Sequence, residues 1–360
     1  MQKKYRPSTL RQRLYVLLIG VLLAAPTLAG QSITDMAGRR VGLPDQILRV
    51  YAVGHCIPLV GAIAPEKLAN NYRLSDEAKR FLSPTLYEGK AVPLTGQRFS
   101  DEEILNMRPD LIVMEAAGGA ADQANRLEAR LHVPVVLVDQ DLWQAKQAFA
   151  FLGAVLGHPA QARVLADFVA TYLDPIHAHA KAIRESDRVR VYYAEGPNGL
   201  STNPAGSAHT QVLDFVGANN VARVANLPDE GMSAISLEQL YLWQPELILV
   251  WTPAADRLTT WHAIVDDPLW QRLTAVRQGR VIQIPWLPFS WLDRPPGSNR
   301  ILGTLWLAQR LYPDKFKFDL PAVTREYFQK FYHHPLSAAD ARHLLDLAEP
   351  TTIPHRGVAQ

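Results

Sequence analysis

One pattern in the chain occurs twice, and it limits the fold more than any other feature. Residues 99–114, FSDEEILNMRPDLIVM, align without a gap on residues 235–250, ISLEQLYLWQPELILV. Each copy has a Ser, a Glu two residues later, a Pro-acid pair, and a final run of four apolar residues. Ser is a favoured helix N-cap. Pro disfavours helical backbone in the residue before it, and a short apolar run that follows suits a buried strand. Each copy therefore predicts a short capped helix that ends at the proline and feeds a strand. The alignment sets Glu102 opposite Glu238, each seven residues before its proline, Pro109 or Pro245. A chain carrying this unit twice is expected to build two related α/β lobes.

The rest of the chain fits that expectation. Short apolar runs at 47–53, 111–114 and 133–138 predict strands of a first lobe, and 189–193, 247–251 and 281–284 predict strands of a second. Helical patterns fill the intervals, which is the signature of a mostly parallel sheet. Residues 159–185 form one long helical pattern with few breakers until Pro175, preceded by a stop and restart at Gly157-His-Pro159. This helix is expected to join lobes at 30–158 and 186–360. Ile301, Leu302, Leu305 and Ala308 have helical spacing, and 316–348 predicts one or two further helices closing the second lobe.

The N-terminus is of another kind. Lys3, Lys4, Arg6, Arg11 and Arg13 precede an apolar run from Leu14 to Pro26 that ends in small residues near Ala29. A basic segment, an apolar segment and a small-x-Ala site predict a signal peptide over residues 1–29, cleaved on export to a Gram-negative periplasm. These residues hold five of the 37 Lys and Arg and none of the 35 Asp and Glu, so the mature chain has a small acidic excess. A global positive field for nucleic acid is thereby excluded. The single cysteine, Cys56, rules out an internal disulfide. With 48% hydrophobic and 20% charged residues, the chain has the composition of a globular protein with its own core.

Four motifs in order carry a family resemblance: the opening ITDMAG at 33–38, the repeated Glu-x6-Pro segments, GSAHTQVLDFVGA at 206–218, and FSWLDRPPGSNR at 289–300. Over nearly the whole mature chain the sequence resembles the substrate-binding proteins of ABC importers for metal chelates, a group that includes ferric-siderophore-, heme- and cobalamin-binding proteins. The resemblance implies two Rossmann-like lobes joined by one long helix, with the ligand in the cleft between them. It implies no catalysis and no intrinsic cofactor. It also implies that one surface glutamate per lobe docks onto arginines of the membrane permease dimer with its ATPase, and Glu102 and Glu238 fall on those positions. A monomer that serves such an importer is the expected state.

Ligands of open α/β sheets sit beyond the carboxyl ends of the strands. That rule selects the loops 54–58, 95–98, 115–118, 193–204 and 251–253, and the proline-broken aromatic stretch IPWLPFSWLDRPPGSNR at 284–300. In this stretch Trp286, Phe289 and Trp291 are expected as apolar walls, and Arg294 as a planar donor to carboxylate, hydroxamate or oxyanion oxygens. Arg98, Tyr193, His55 and His209 are further ligand candidates. His55 and Cys56 together hint at a soft metal, although a lone Cys is commonly a small buried hydrophobe. The paired His177/His179 and His333/His334 read as exposed helix residues without a role. The functional expectation is a periplasmic receptor for an iron-siderophore or related chelate. The alternative ligand is an oxyanion such as molybdate or tungstate, or a metal such as nickel with a small chelator. An exported hydrolase is disfavoured, because the chain has no Gly-x-Ser-x-Gly elbow, no His-Glu-x-x-His and no phosphate-binding Gly-x4-Gly-Lys loop.

Overall fold

A computed structural model describes residues 32–93, 99–225, 232–253 and 258–349. The repeat explains the two larger sheets, one in each lobe. In the first lobe, Leu111–Glu115 lies between Val50–Ala52 and Val135–Val138, all parallel. In the second, Leu247–Val250 lies between Arg190–Ala194 and Val281–Gln283, also parallel, with Asn219–Asn220 added at the edge. The registers coincide. Leu111 pairs with Val50 and Leu247 with Val191, while Ile112 pairs with Val135 and Ile248 with Val281. All six strands expected from the sequence are present, within a few residues at their ends.

The chemistry of each repeated residue is now visible. Ser100 and Ser236 cap the helices Asp101–Asn106 and Leu237–Trp243, and each cap is a reciprocal box completed by Glu103 or Gln239. The residues before the prolines, Arg108 and Gln244, take positive φ and turn the chain towards the sheet. The acid after each proline then holds the neighbouring strand. Asp110 accepts from the backbone N–H groups of Leu48 and Arg49, and Glu246 accepts from that of Arg190. The basic side chains return the favour, as Arg49 donates to the Met107 carbonyl and Arg190 to that of Gln244. These carbonyls end helices and have no intrahelical partner.

The joining helix spans Pro159–Ala182 and runs through Pro175 without a break. Pro175 is exposed, so the carbonyl that it leaves unpaired one turn earlier is on the side open to solvent. The opposite face buries Leu165, Phe168, Val169, Leu173 and Ile176. At the start of this helix Ala162 meets Gly153 of the preceding helix so closely that a Cβ on Gly153 would lie 2.2 Å from that of Ala162. The tail helices Leu320–Phe331 and Ala338–Asp346 reach beyond the second lobe, although Ala348 still accepts from Gln283 of its edge strand. Leu320–Phe331 packs against the joining helix and against Cys56–Ile63 of the first lobe, and Ser83 donates to the Tyr332 carbonyl. Phe168, Tyr327, Phe331 and Phe149 pack there in one aromatic cluster, edge to face except for the stacked pair Tyr327 and Phe331. The largest core therefore runs unbroken from the first sheet, along the joining helix, to the inner face of the second.

Candidate functional site

The carboxyl ends of the two central strands face each other across the lobes, and the repeat makes Glu115 and Trp251 equivalent there. Each anchors a nitrogen-bearing side chain. In the first lobe His55, in the turn after Val50–Ala52, sets Nδ1 3.2 Å from Glu115 Oε2. Burial works to raise the Glu115 carboxyl, but His55, with Arg300 and His209 further off, holds it below the usual carboxylate range. In the second lobe the Arg294 guanidinium lies over the Trp251 ring, 4.4 Å from its centroid. Arg294 Nη2 donates to Glu195 Oε1 at 2.6 Å, and its Nε is 3.7 Å from Asp293 Oδ2.

Behind these groups stands a second, buried layer. Asn203 donates to the other Glu195 oxygen. Asp293 is fully buried and accepts from the Tyr193 hydroxyl at 2.9 Å, and its other oxygen lies 2.9 Å from His209 Nδ1. Burial pushes the Glu195 carboxyl up from the ordinary 4.5 to about 7; Arg294 opposes that rise and the like charge of Asp293 adds to it. Burial works to lower the Arg294 guanidinium, but the two carboxylates more than offset it and hold the cation firmly charged. Arg300 is wholly buried at the seam between the lobes. It donates to the Gln140 carbonyl of the first lobe and to Gln211 Oε1 of the second, and burial lowers it to about 10. Gln211 in turn donates to Asp141, which ties the lobes together beside the cleft.

The expected site residues thus separate into groups. His55, His209 and Arg294 retain some exposure, at 38%, 26% and 16% of their side chains, and all belong to the polar centre. Tyr193 is in the centre but completely buried, where it positions Asp293. The three aromatic residues need correcting. Trp286, Phe289 and Trp291 are turned into the core rather than forming open walls. The stretch folds back on itself, as Ser290 N–H bonds the Arg294 carbonyl and Trp291 N–H that of Pro285. Trp291 spends its ring N–H on the Leu287 carbonyl, and its own carbonyl presses on Gly303 of the following helix. Phe289 packs edge-on against Tyr72 and Tyr332.

Cys56 is also corrected as a metal candidate. It is completely buried, burial pushes its thiol well above the ordinary value, and its sulfur accepts from Gln140. Among the described residues, no three His, Cys, Asp or Glu side chains group to hold a metal ion. Arg98 and residues 1–29 lie outside the described residues. Of the four histidines expected on helices, His177 and His179 lie on the joining helix, whereas His333 and His334 follow the end of Leu320–Phe331, and all four are half-buried, not exposed: His177 stacks on Phe215, His179 packs on Tyr312 and Phe316, and His333 contacts the Gly61 carbonyl.

The loops selected from the sequence contain Glu115, Trp251, Glu195, Asp293 and Arg300, but none of these was singled out as a ligand residue. The first two were available from the repeat itself, because both directly follow the matched strand segment. The other three show no period or spacing that marks them.

Comparison with known proteins adds the following. The model of a family described as periplasmic binding protein matches residues 46–286. The molybdate-binding protein MolA of Haemophilus influenzae is 26% identical over 359 residues, covering 89% of this chain and 97% of that one. The vitamin B12-binding protein of Salmonella typhi is 28% identical over 211 residues, 58% of this chain and 71% of its own. Among solved structures, an ABC transporter solute binding protein from Sulfurospirillum deleyianum superimposes with a TM-score of 0.77 at 28% identity, covering 87% of this chain and 98% of that one.

Proposed function

The chain belongs to the periplasmic binding protein family, and from that premise we propose that it captures a small oxyanion of the molybdate and tungstate class for an ABC importer. One observation carries the choice of ligand. Each carboxylate of the centre already accepts from a neighbouring donor, so the atoms left over are almost all nitrogens. They are Nε2 of His55 and of His209, and Nε and Nη1 of Arg294; one oxygen of Glu115 is the exception. Donors shut away from water need acceptors: the Arg294 nitrogens donate as they stand, each histidine donates from Nε2 when its ring carries both protons, and a tetrahedral oxyanion offers four oxygens within a small volume. The carboxylates behind the histidines and the arginine fix their orientation, as second-layer partners do. The near full-length likeness to a protein described as molybdate-binding supports the same reading.

The test is calorimetry with molybdate, tungstate and sulfate, and metal analysis of protein taken from its own periplasm. Retained molybdenum or tungsten without organic mass is the expected result. Iron with several hundred daltons of organic mass would establish a second reading, a metal chelate of the siderophore or cobalamin kind. That reading draws on the same histidines. With Nδ1–H given to a carboxylate, a neutral imidazole presents an Nε2 lone pair from each lobe to an open position on a metal.

Delivery requires docking, and Glu102 and Glu238 are suited to it. Of the three acids opening the first helix, Asp101 pairs with Arg130 and Glu103 completes the cap, while Glu102 is exposed and has no bond to any described residue. Glu238 is exposed at the matching position of the second helix, and bonds at the helix start hold it below the usual carboxylate range. Export through residues 1–29 as a cleaved leader completes the proposal. Deletion of that segment is expected to leave a folded protein in the cytoplasm.

A further inference from the structure

We infer that the docking face is apolar as well as acidic, and that Leu105 and Leu242 form its apolar half; this rests on the docking of Glu102 and Glu238 proposed above. Seven large hydrophobic residues are exposed among the described residues. Leu105 and Leu242 lie on the two capped helices of the repeat, 45% and 84% exposed. Two more flank the second helix. Met232, 38% exposed, comes just before its cap, and Leu269, 46% exposed, accepts from Tyr241 of the helix through its carbonyl. Four of seven thus gather at the two short helices, and such clustering marks an interaction surface where scattered residues would not.

The spacing within each helix is specific. Leu105 follows Glu102 by three residues and Leu242 follows Glu238 by four, so each leucine shares a face with its glutamate one turn on. The apolar residue is shifted by one between the copies, because Tyr241, the equivalent of Leu105, is tied down to Leu269. Each helix precedes and runs back along the central strand of its sheet, so its capped end lies towards the carboxyl edge, the side of the cleft. Each lobe therefore offers an acid on the cleft side and a leucine one turn further from it along the same helix face, at nearly matching positions of the internal repeat.

A partner that fits both points has two-fold symmetry and carries a cation beside an apolar surface on each half. A membrane permease dimer of an ABC importer meets that description. The acids would set orientation and encounter, whereas the leucines, once desolvated, would slow departure. Salt separates the two effects, since it screens exposed charges and leaves apolar burial intact.

The test uses the full mature receptor and its permease–ATPase complex in nanodiscs, with dissociation followed by interferometry at ~50 mM and ~500 mM NaCl. The variants are Leu105→Ser with Leu242→Ser, and Glu102→Gln with Glu238→Gln. Unchanged melting temperature and unchanged molybdate binding show that each variant is folded. The leucine pair is expected to dissociate about tenfold faster at both salt concentrations. The glutamate pair is expected to weaken association at low salt only. If the glutamate pair weakens docking and the leucine pair matches wild type, the leucines are idle and the acidic docking stands. If neither pair changes anything, the docking reading itself falls. Self-association of the wild type that the leucine pair abolishes, seen by sedimentation, would assign this face to a second copy of the chain and overturn the inference.

Discussion

Arg294 serves two partners, and its substitution has to be read accordingly. It is the most completely charged group facing the cleft, and it is also the buried counter-ion of Glu195. Arg294→Ala is expected to cost ~2–5 kcal/mol of oxyanion affinity, and also apo stability, because Glu195 is left buried with only Asn203. Adding Glu195→Gln removes the orphaned charge. The double variant should recover melting temperature but not calorimetric affinity; recovery of both would make Arg294 purely structural. Glu195 carries its own pH signature. Its folded pKa, about 7, lies above the ordinary 4.5, so its stabilising contribution is complete below the ordinary value and is lost as pH rises through about 7. Protonation also makes the centre more positive, so oxyanion affinity should rise as pH falls from about 8 towards 6.5. In Glu195→Gln both dependences, read by thermal melts and calorimetry, should flatten. Arg294 was legible as a candidate from an arginine held before paired prolines. Glu195 was not, since its role comes chiefly from Arg294 and Asp293, both distant in sequence.

Elements were far more legible than side-chain orientations, and the repeat shows why. Caps, prolines and apolar runs act within a few residues, so the sequence displays them directly, and the two copies even share their pairing register. The acid after each proline does unequal work, however: Asp110 holds two backbone N–H groups and Glu246 holds one. Asp110→Ala should therefore lower stability more than Glu246→Ala, by about 1 kcal/mol against roughly half that, in urea unfolding. Equal losses would mean that water replaces these bonds freely. The aromatic stretch went the other way. Proline and tryptophan content suggested a stiff loop but not which side it faces, and the answer depends on a glycine in the next helix. A Cβ at Gly303 would lie 1.8 Å from the Trp291 carbonyl oxygen. Ala is the better helix former by ~1 kcal/mol, yet Gly303→Ala is expected to destabilise by ~1–3 kcal/mol as overpacking forces the loop away. Stability unchanged or increased would show that Trp291 is not pinned there.

Two lobes around a cleft suggest a hinge, but the packing of the whole molecule argues for a small one. A hinge opens easily when a few residues absorb the rotation and little packed surface crosses between the moving parts. Here the joining helix is packed by neighbours of both lobes, the tail helix Leu320–Phe331 reaches back to the first lobe, and one aromatic cluster binds them. Arg300 adds bonds to both sides of the seam from a fully buried position, so separating the lobes would strip a charged group of its acceptors. That coupling was hidden in the sequence, where the tail read as part of the second lobe and Arg300 as the last residue of the aromatic stretch. Two consequences follow at this scale. Thermal unfolding should be a single calorimetric transition, since no interface divides the largest core into separately melting units. Small-angle scattering with and without molybdate should give radii of gyration within ~1 Å of each other, local rearrangement of the loops around His55, His209 and Arg294 being enough to admit a small ligand. A contraction of several ångströms on binding, or two resolved melting transitions, would mean that the shared core parts between the lobes. Arg300→Met distinguishes the causes: if the buried guanidinium is what holds the seam, this variant alone should acquire the larger contraction that the wild type lacks.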